Sequence, residues 1–146
     1  MATVHDVAAY ILDKQGEMTA MKLEKLVYYA QAWHLAWEGA PLFPEKIEAW
    51  MNGPVCPALY QRHRGSFTVT NWEGDPAMLS PDEKDSIDTV LNYYGSWSPA
   101  RLSAQTHSEA PWKDARKGLN PTERGKREIS QESMQAFYDA LANADE

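Results

Sequence analysis

The chain has little of what disulfide-linked and metal-binding proteins need, since its 146 residues include one cysteine and four histidines. Cys56 alone cannot form an intramolecular disulfide, and none of these side chains shows the short paired spacing of a metal site. We therefore expect a reducing compartment and neither a metal nor a cofactor. The longest stretch free of charge is well short of the ~20 apolar residues of a membrane-spanning helix, and the sequence opens without a secretory pattern. Both observations indicate a cytoplasmic protein with no membrane role.

Glycine-rich phosphate loops and a basic overall charge are also missing. Gly53 and Gly65 are isolated, and no glycine precedes the Lys-Ser or Lys-Thr that phosphate binding uses, so nothing supports nucleotide hydrolysis. With 14 basic against 21 acidic residues the net charge is −7, which disfavours nucleic acid as a partner. One basic segment, residues 113–127, could bind phosphates or an acidic protein surface, although a solvated loop explains it more simply.

Candidate catalytic side chains are few. Cys56 could act as a nucleophile with His63 or His107 as its base, which would make the protein a small hydrolase. No cation near Cys56 in the sequence would lower the pKa of its thiol, so we expect no enzyme. His34 lies on the apolar side of a predicted helix, where a buried histidine satisfied by one hydrogen bond is the simpler interpretation.

What the sequence has in excess is apolar and aromatic surface on one long helix, predicted within residues 18–39. One helical stripe is a core face and consists of Leu23, Leu26, Val27, Ala30, Trp33, His34 and Trp37. The opposite side is also largely apolar, so the helix either runs through the middle of the fold or presents this side to a partner. Our candidate partner-binding residues are Met21, Lys25, Tyr28, Ala32 and Leu35, with Trp72 and Trp97 as neighbours. The open alternative is that another helix of the same chain covers this face.

Capping and breaking residues predict a helix-dominated α+β protein with five to six helices. The expected N-caps are Thr3, Thr19, Ser80, Ser98 and Ser130, and Pro57 is expected to open a short helix. Residues 47–51 and 67–72 are typical of short strands and would form one small two-stranded element beside the helices. No repeat or linker interrupts the chain, so we expect a single domain over residues 1–142 and a frayed acidic tail over 143–146.

Three blocks of sequence carry a resemblance to a known family. They read MKLEKLVYYAQAWHLAW at 21–37, PLFPEKIEAWMNGPVCPALYQRHR at 41–64 and LSAQTHSEAPWKDAR at 102–116. In this order and spacing the chain resembles the Panacea-domain family of bacterial and phage antitoxins, which includes the SocA type of proteolytic adaptor. Besides Lys25 and Tyr28, the matching positions are Lys22, Leu23, Leu26, Tyr29, His34, Trp50, Gly53, Pro54, Val55, Tyr60, Thr106, His107, Pro111, Trp112 and Arg116. We expect most of them to be scaffold residues.

The resemblance implies a non-enzymatic antitoxin of a two-gene, type II-like toxin–antitoxin pair. Such a protein would neutralise a cognate toxin, encoded by the adjacent gene, through direct protein contact. An adaptor that delivers the toxin to a AAA+ protease is the alternative. The acidic, aromatic-rich composition suits a basic toxin, because opposite charges speed encounter and buried Tyr and Trp side chains anchor complexes.

Overall fold

The computed structural model describes residues 1–144 and begins with two consecutive helices. These are α1 (Val4–Gln15) and α2 (Ala20–Glu38). Thr19 caps α2, since its Oγ1 accepts a hydrogen bond from the Lys22 N–H at 3.0 Å. α2 ends where Gly39 adopts a left-handed conformation, which a residue without Cβ takes at no steric cost. The N-cap expected for this helix is therefore confirmed.

α2 is the central element of the fold and is buried around nearly all of its circumference. It packs against α1 and against three helices from later in the chain, α4 (Pro81–Tyr94), α5 (Pro99–Ser108) and α7 (Gln131–Asn143). A helix with neighbours on several sides needs apolar residues all round, and this explains the second apolar face. Of the two alternatives that the sequence left open, passage through the middle of the fold is the one observed.

Two shorter helices, α3 (Pro57–His63) and α6 (Ala110–Ala115), bring the number of α-helices described within residues 1–144 to seven. A single 3-10 turn lies at Pro76–Met78. The prediction of five to six helices is therefore wrong, and α6 is the helix that it missed. Extended backbone at Glu109 (φ −102°, ψ 147°) separates α5 from α6. Because α6 has fewer than about two turns, its sequence carries too little periodicity to be distinguished from a turn.

The β-structure consists of two small antiparallel sheets. In the first, β1 (Met18–Thr19) pairs with β4 (Thr68–Val69). In the second, β2 (Ile47–Trp50) lies between β3 (Gly53–Val55) and β5 (Glu128–Ile129).

This arrangement corrects the prediction of a single two-stranded element. The segments 47–51 and 67–72 belong to different sheets and do not pair with each other. The first segment instead reverses at residues 51–52 and pairs with the strand that follows, since Gly53 adopts a φ of 124° that other residues rarely take. β1 and β5, which were not predicted, have two residues each, which is too short for an alternating pattern to show in the sequence.

The hydrophobic core follows α2, and α1, α4, α5 and α7 supply the facing side chains. None of the helices described in residues 1–144 is long and apolar enough to span a membrane. Of the tail predicted at 143–146, Asn143 is the last residue of α7, and residues 145–146 lie outside the described part. The single domain over 1–142 stays a prediction.

Candidate functional site

A network of buried polar side chains joins α2 to α7 and to the junction between α5 and α6. Glu109 is 4% exposed, and its Oε1 accepts hydrogen bonds from the Tyr29 and Tyr138 hydroxyls, both at 2.8 Å. Gln105 Nε2 donates to the other carboxylate oxygen at 3.1 Å. Burial and, next, the charge of Glu109 raise the pKa of Tyr29, so this phenol remains protonated and keeps donating. The carboxylate therefore holds three parts of the chain together.

Lys25, which we expected at a partner-binding surface, is instead fully buried. Its Nζ donates to the Pro54 carbonyl at 3.3 Å, and no carboxylate described in residues 1–144 forms an ion pair with it. Desolvation lowers the pKa of Lys25 to about 8, with partial opposition from the charge of Glu24. The close approach of the lysine depends on Gly53, where a Cβ atom would lie 2.5 Å from Lys25 Cε. Lys25 thus joins α2 to the β2–β3 hairpin.

His107 lies beside this lysine and is held by stacking. Its ring is 4.1 Å from that of Trp112 between centroids, with 19° between the planes. Burial and, next, the positive charge of Lys25 lower the pKa of His107, so the imidazole is neutral at neutral pH. Its Nε2 is buried and has no hydrogen-bond partner among the described residues. Trp112 itself donates to the Trp50 carbonyl at 2.8 Å, which fixes α6 against β2.

Arg116 organises the basic segment that follows α6. The side chain is 5% exposed, and its Nη1 donates to the carbonyls of Ala49 and Arg124 at 3.0 and 2.9 Å. Its Nη2 donates to the Asn120 carbonyl at 3.2 Å. One buried guanidinium therefore ties the loop of residues 117–127 to β2, because its planar fork reaches several carbonyl groups at once.

Cys56 does not have the environment of a nucleophile. Burial raises the pKa of its thiol to about 12, so the reactive thiolate is scarce at neutral pH. His63, its predicted base, is already engaged, with Nε2 2.7 Å from Glu24 Oε2. The other oxygen of Glu24 accepts the Cys56 backbone N–H at 2.9 Å. Through Cys56 and His63, Glu24 on α2 therefore contacts both the start and the end of α3.

The face of α2 that we predicted as the partner-binding surface is closed by the chain itself. Of its five residues, only Met21 is exposed, whereas Lys25, Tyr28, Ala32 and Leu35 are buried. The reason is that α2 lies at the centre of the fold, where neighbouring elements pack against both of its apolar faces. The two predicted neighbours, Trp72 and Trp97, are partly exposed but lie at different places, Trp72 against His5 and Trp97 against Tyr93 and Tyr94.

A surface of a different kind lies where α2, α4, α5 and α7 meet. We call it the aromatic groove and define it by Trp37, Tyr93, Trp97, Gln105, Glu109 and Leu141. Its volume is about 440 Å³. Trp37 is 41% exposed, Tyr93 64% and Leu141 43%, although each is a large apolar or aromatic side chain. Exposed apolar side chains that converge from separate helices are typical of surfaces that bind other molecules.

Comparison with known proteins places the chain in a family. The family model described as antitoxin SocA-like, Panacea domain, matches residues 23–113, which is more than half of the chain. The chain belongs to this family. Antitoxin SocA of Caulobacter vibrioides (strain NA1000 / CB15N) is 32% identical over 124 residues, which cover 73% of this chain and 66% of the relative. No solved structure shows significant similarity to the chain.

The family resemblance expected from the three sequence blocks is thus confirmed. The region matched to the Panacea domain contains Glu24, Lys25, His63 and Glu109, and therefore most of the buried polar contacts that connect α2 with the rest of the fold. Arg116 and the whole of α7 follow the matched region. The aromatic groove consequently combines residues of the Panacea match with residues such as Leu141 that lie beyond it.

Sequence reasoning missed several residues that the structure makes important. From the sequence we assign no role to the charged residues Glu24 and Glu109, nor to Tyr93 and Leu141. Glu24 gave a signal, because a carboxylate on a helix with two apolar faces is expected to need a buried hydrogen-bond partner. The exposed position of Tyr93 gave none, since exposure depends on how α4 and α5 pack.

Proposed function

We propose that this protein is the antitoxin of a two-gene, type II-like toxin–antitoxin pair and neutralises its toxin by direct protein–protein contact. The observation that carries the proposal is the membership of the chain in the SocA-like Panacea family over residues 23–113. The match to antitoxin SocA spans 66% of that relative, so the toxin partner of this chain is part of the proposal. We place the pair in the cytoplasm and the toxin gene next to the gene of this protein.

Two features of the structure support a binding role over a catalytic one. The thiol of Cys56 and the ring of His63 are both committed to buried contacts, and the raised pKa of the thiol removes the nucleophile that a hydrolase needs. The aromatic groove, in contrast, leaves apolar side chains exposed that a partner could cover. A hydrolase that uses His107 has the same difficulty, since Nε2 of this ring is buried.

Co-expression with the product of the adjacent gene tests the proposal. Each gene is placed under its own inducible promoter, and growth is scored with the neighbour alone and with both genes. The double variant Cys56→Ala with His107→Ala serves as the control for catalysis, because a folded antitoxin that acts by binding should still rescue growth. Co-purification then shows whether the two proteins form a stable complex.

We expect growth arrest by the neighbouring gene product, rescue by this protein, and recovery of intact toxin in the complex. If rescue instead requires a protease and the amount of toxin falls, this protein is a proteolytic adaptor. A neighbour without toxicity, or a toxic neighbour that this protein fails to suppress, would contradict the antitoxin proposal. Loss of rescue in the folded double variant would favour the hydrolase.

A further inference from the structure

The aromatic groove has a charge that distinguishes it from an ordinary apolar patch. Glu109 is the one charged residue among those that line it in the described part of the chain. The carboxylate lies on the buried side of the groove, where it accepts hydrogen bonds from Tyr29, Tyr138 and Gln105. No lysine or arginine described in residues 1–144 lies within ion-pair distance of it. The groove therefore combines aromatic side chains with a negative charge that lacks a cationic partner.

Both properties favour a cationic side chain as the occupant. Aromatic rings attract lysine and arginine through the negative electrostatic potential of their faces. The chain already shows this preference at the groove, since the guanidinium of Arg101 lies 3.6 Å from the centroid of the Trp97 ring. A buried carboxylate without a counterion is further stabilised by a nearby cationic side chain, because opposite charges attract more strongly where water is excluded.

The remaining groove residues specify what should accompany the cation. Trp37, Tyr93 and Leu141 offer exposed apolar area on three different helices, and such area is best covered by apolar side chains of a protein segment. The volume of about 440 Å³ lies within the ~300–1,000 Å³ of pockets that hold small ligands, so the groove has room for a few side chains of a partner. The net charge of −7 adds long-range attraction for a basic partner.

We infer that the aromatic groove receives an arginine or lysine side chain of the toxin, flanked by apolar residues of the same toxin segment. This inference rests on the proposed function, because it names the surface through which the antitoxin holds its toxin. Glu109 is the charge that the incoming cation faces, and Trp37, Tyr93 and Leu141 are the contact residues around it.

Opposite charges introduced at one exposed position test the inference. Leu141→Lys and Leu141→Glu remove the same apolar contact and differ in the sign of the charge beside the groove. Their affinities for the purified product of the adjacent gene are measured by calorimetry, with Tyr93→Ala as the variant that removes aromatic contact. Phe67→Ala is the matched control, since Phe67 is 80% exposed and lies outside the groove. Thermal unfolding establishes that every variant is folded.

We expect Tyr93→Ala to weaken binding by at least about tenfold and Phe67→Ala to leave it within about twofold. The affinity of the Leu141→Lys variant for the toxin should be at least about tenfold lower than that of the Leu141→Glu variant. Salt at about 0.5 M should make the two affinities more similar, because it screens the charges. Equal losses for the two Leu141 variants would overturn the cationic occupant. Unchanged affinity in all groove variants would overturn the groove as the contact surface while the antitoxin proposal stands.

Two further outcomes separate the inference from its premise. If the wild-type protein does not bind the product of the adjacent gene at all, the proposed function fails together with the inference. If the wild-type protein sediments as a dimer and Tyr93→Ala sediments as a monomer, the groove is occupied by a second copy of this chain, and the inference is overturned. A wild-type monomer that binds the toxin through the groove supports it.

Discussion

At the scale of single residues, the fold depends on buried charges that are satisfied in different ways. Glu24 and Glu109 are surrounded by hydrogen-bond donors, and Arg116 is surrounded by backbone carbonyl groups. Lys25 is the exception, because its described partner is a single carbonyl group at 3.3 Å. Such a lysine loses most of its hydration without gaining a counterion, and this should make it a source of instability at neutral pH.

Replacement of Lys25 by methionine should therefore stabilise the protein. A pKa of about 8 in the folded state against 10.5 for a free lysine corresponds to a penalty of about 3 kcal/mol below pH 8. We expect Lys25→Met to raise the free energy of unfolding at pH 7 by about 1–3 kcal/mol, measured by urea denaturation. The control Lys113→Met, at an exposed position, should change it by less than about 0.5 kcal/mol.

The pH dependence of this gain follows from the same pKa. Between pH 8 and 10.5 the unfolded chain still binds a proton at Lys25 that the folded chain has released, so the stability of the wild-type protein rises with pH relative to the variant. The advantage of Lys25→Met should shrink between pH 8 and about 9.5. A loss of stability on replacement, or an advantage that grows with pH, would show that the buried ammonium group is stabilising.

Gly53 should tolerate a side chain less well than another glycine of similar backbone conformation. Gly53 has a φ of 124° and lacks space for a Cβ atom beside Lys25, whereas Gly65 has a φ of 91° and nothing within 4 Å. We expect Gly53→Ala to cost about 2–4 kcal/mol of unfolding free energy and Gly65→Ala about 1 kcal/mol, the cost of the backbone alone. Equal losses of unfolding free energy in Gly53→Ala and Gly65→Ala, measured by denaturant titration, would show that the close contact with Lys25 does not affect stability.

At the scale of secondary-structure elements, long segments with caps were predictable and short ones were not. α2 could be assigned because Thr19, Gly39 and a periodic apolar stripe agree with one another. α6 and the strands β1 and β5 could not, since two to six residues hold too little pattern. The pairing of β5 with β2 could not be predicted for another reason. The two strands are far apart in the sequence, and β5 follows the long loop that Arg116 holds against β2.

The loop of residues 117–127 should depend on the geometry of Arg116 more than on its charge. Arg116→Lys keeps the charge and the tryptic site but loses the fork that contacts the carbonyls of Ala49, Asn120 and Arg124. We expect trypsin to cut within the loop about tenfold faster in this variant, because the loop opens more readily. Arg101→Lys, at an exposed position, is the control and should leave the rate unchanged. A wild-type rate in Arg116→Lys would show that other contacts hold the loop.

At the scale of the whole molecule, the family could be predicted from the sequence, whereas the aromatic groove could not. The three sequence blocks that resemble the Panacea family contain many residues that the fold buries, such as Leu23 and Tyr29, and burial on one side of a helix leaves a periodic pattern in the sequence. The aromatic groove could not be predicted, since it arises where four helices meet and combines side chains from all of them. Trp97 was the one predicted contact residue that lies in it.

We propose that this protein suppresses its toxin by contact alone, without catalysis, and an experiment with purified components tests this proposal. The activity of the purified product of the adjacent gene is titrated with purified antitoxin in the absence of any protease or ATP. We expect complete inhibition at a fixed molar ratio, with intact toxin recovered from a stable complex. Full toxin activity at a molar excess of a folded antitoxin that protects cells would contradict direct neutralisation.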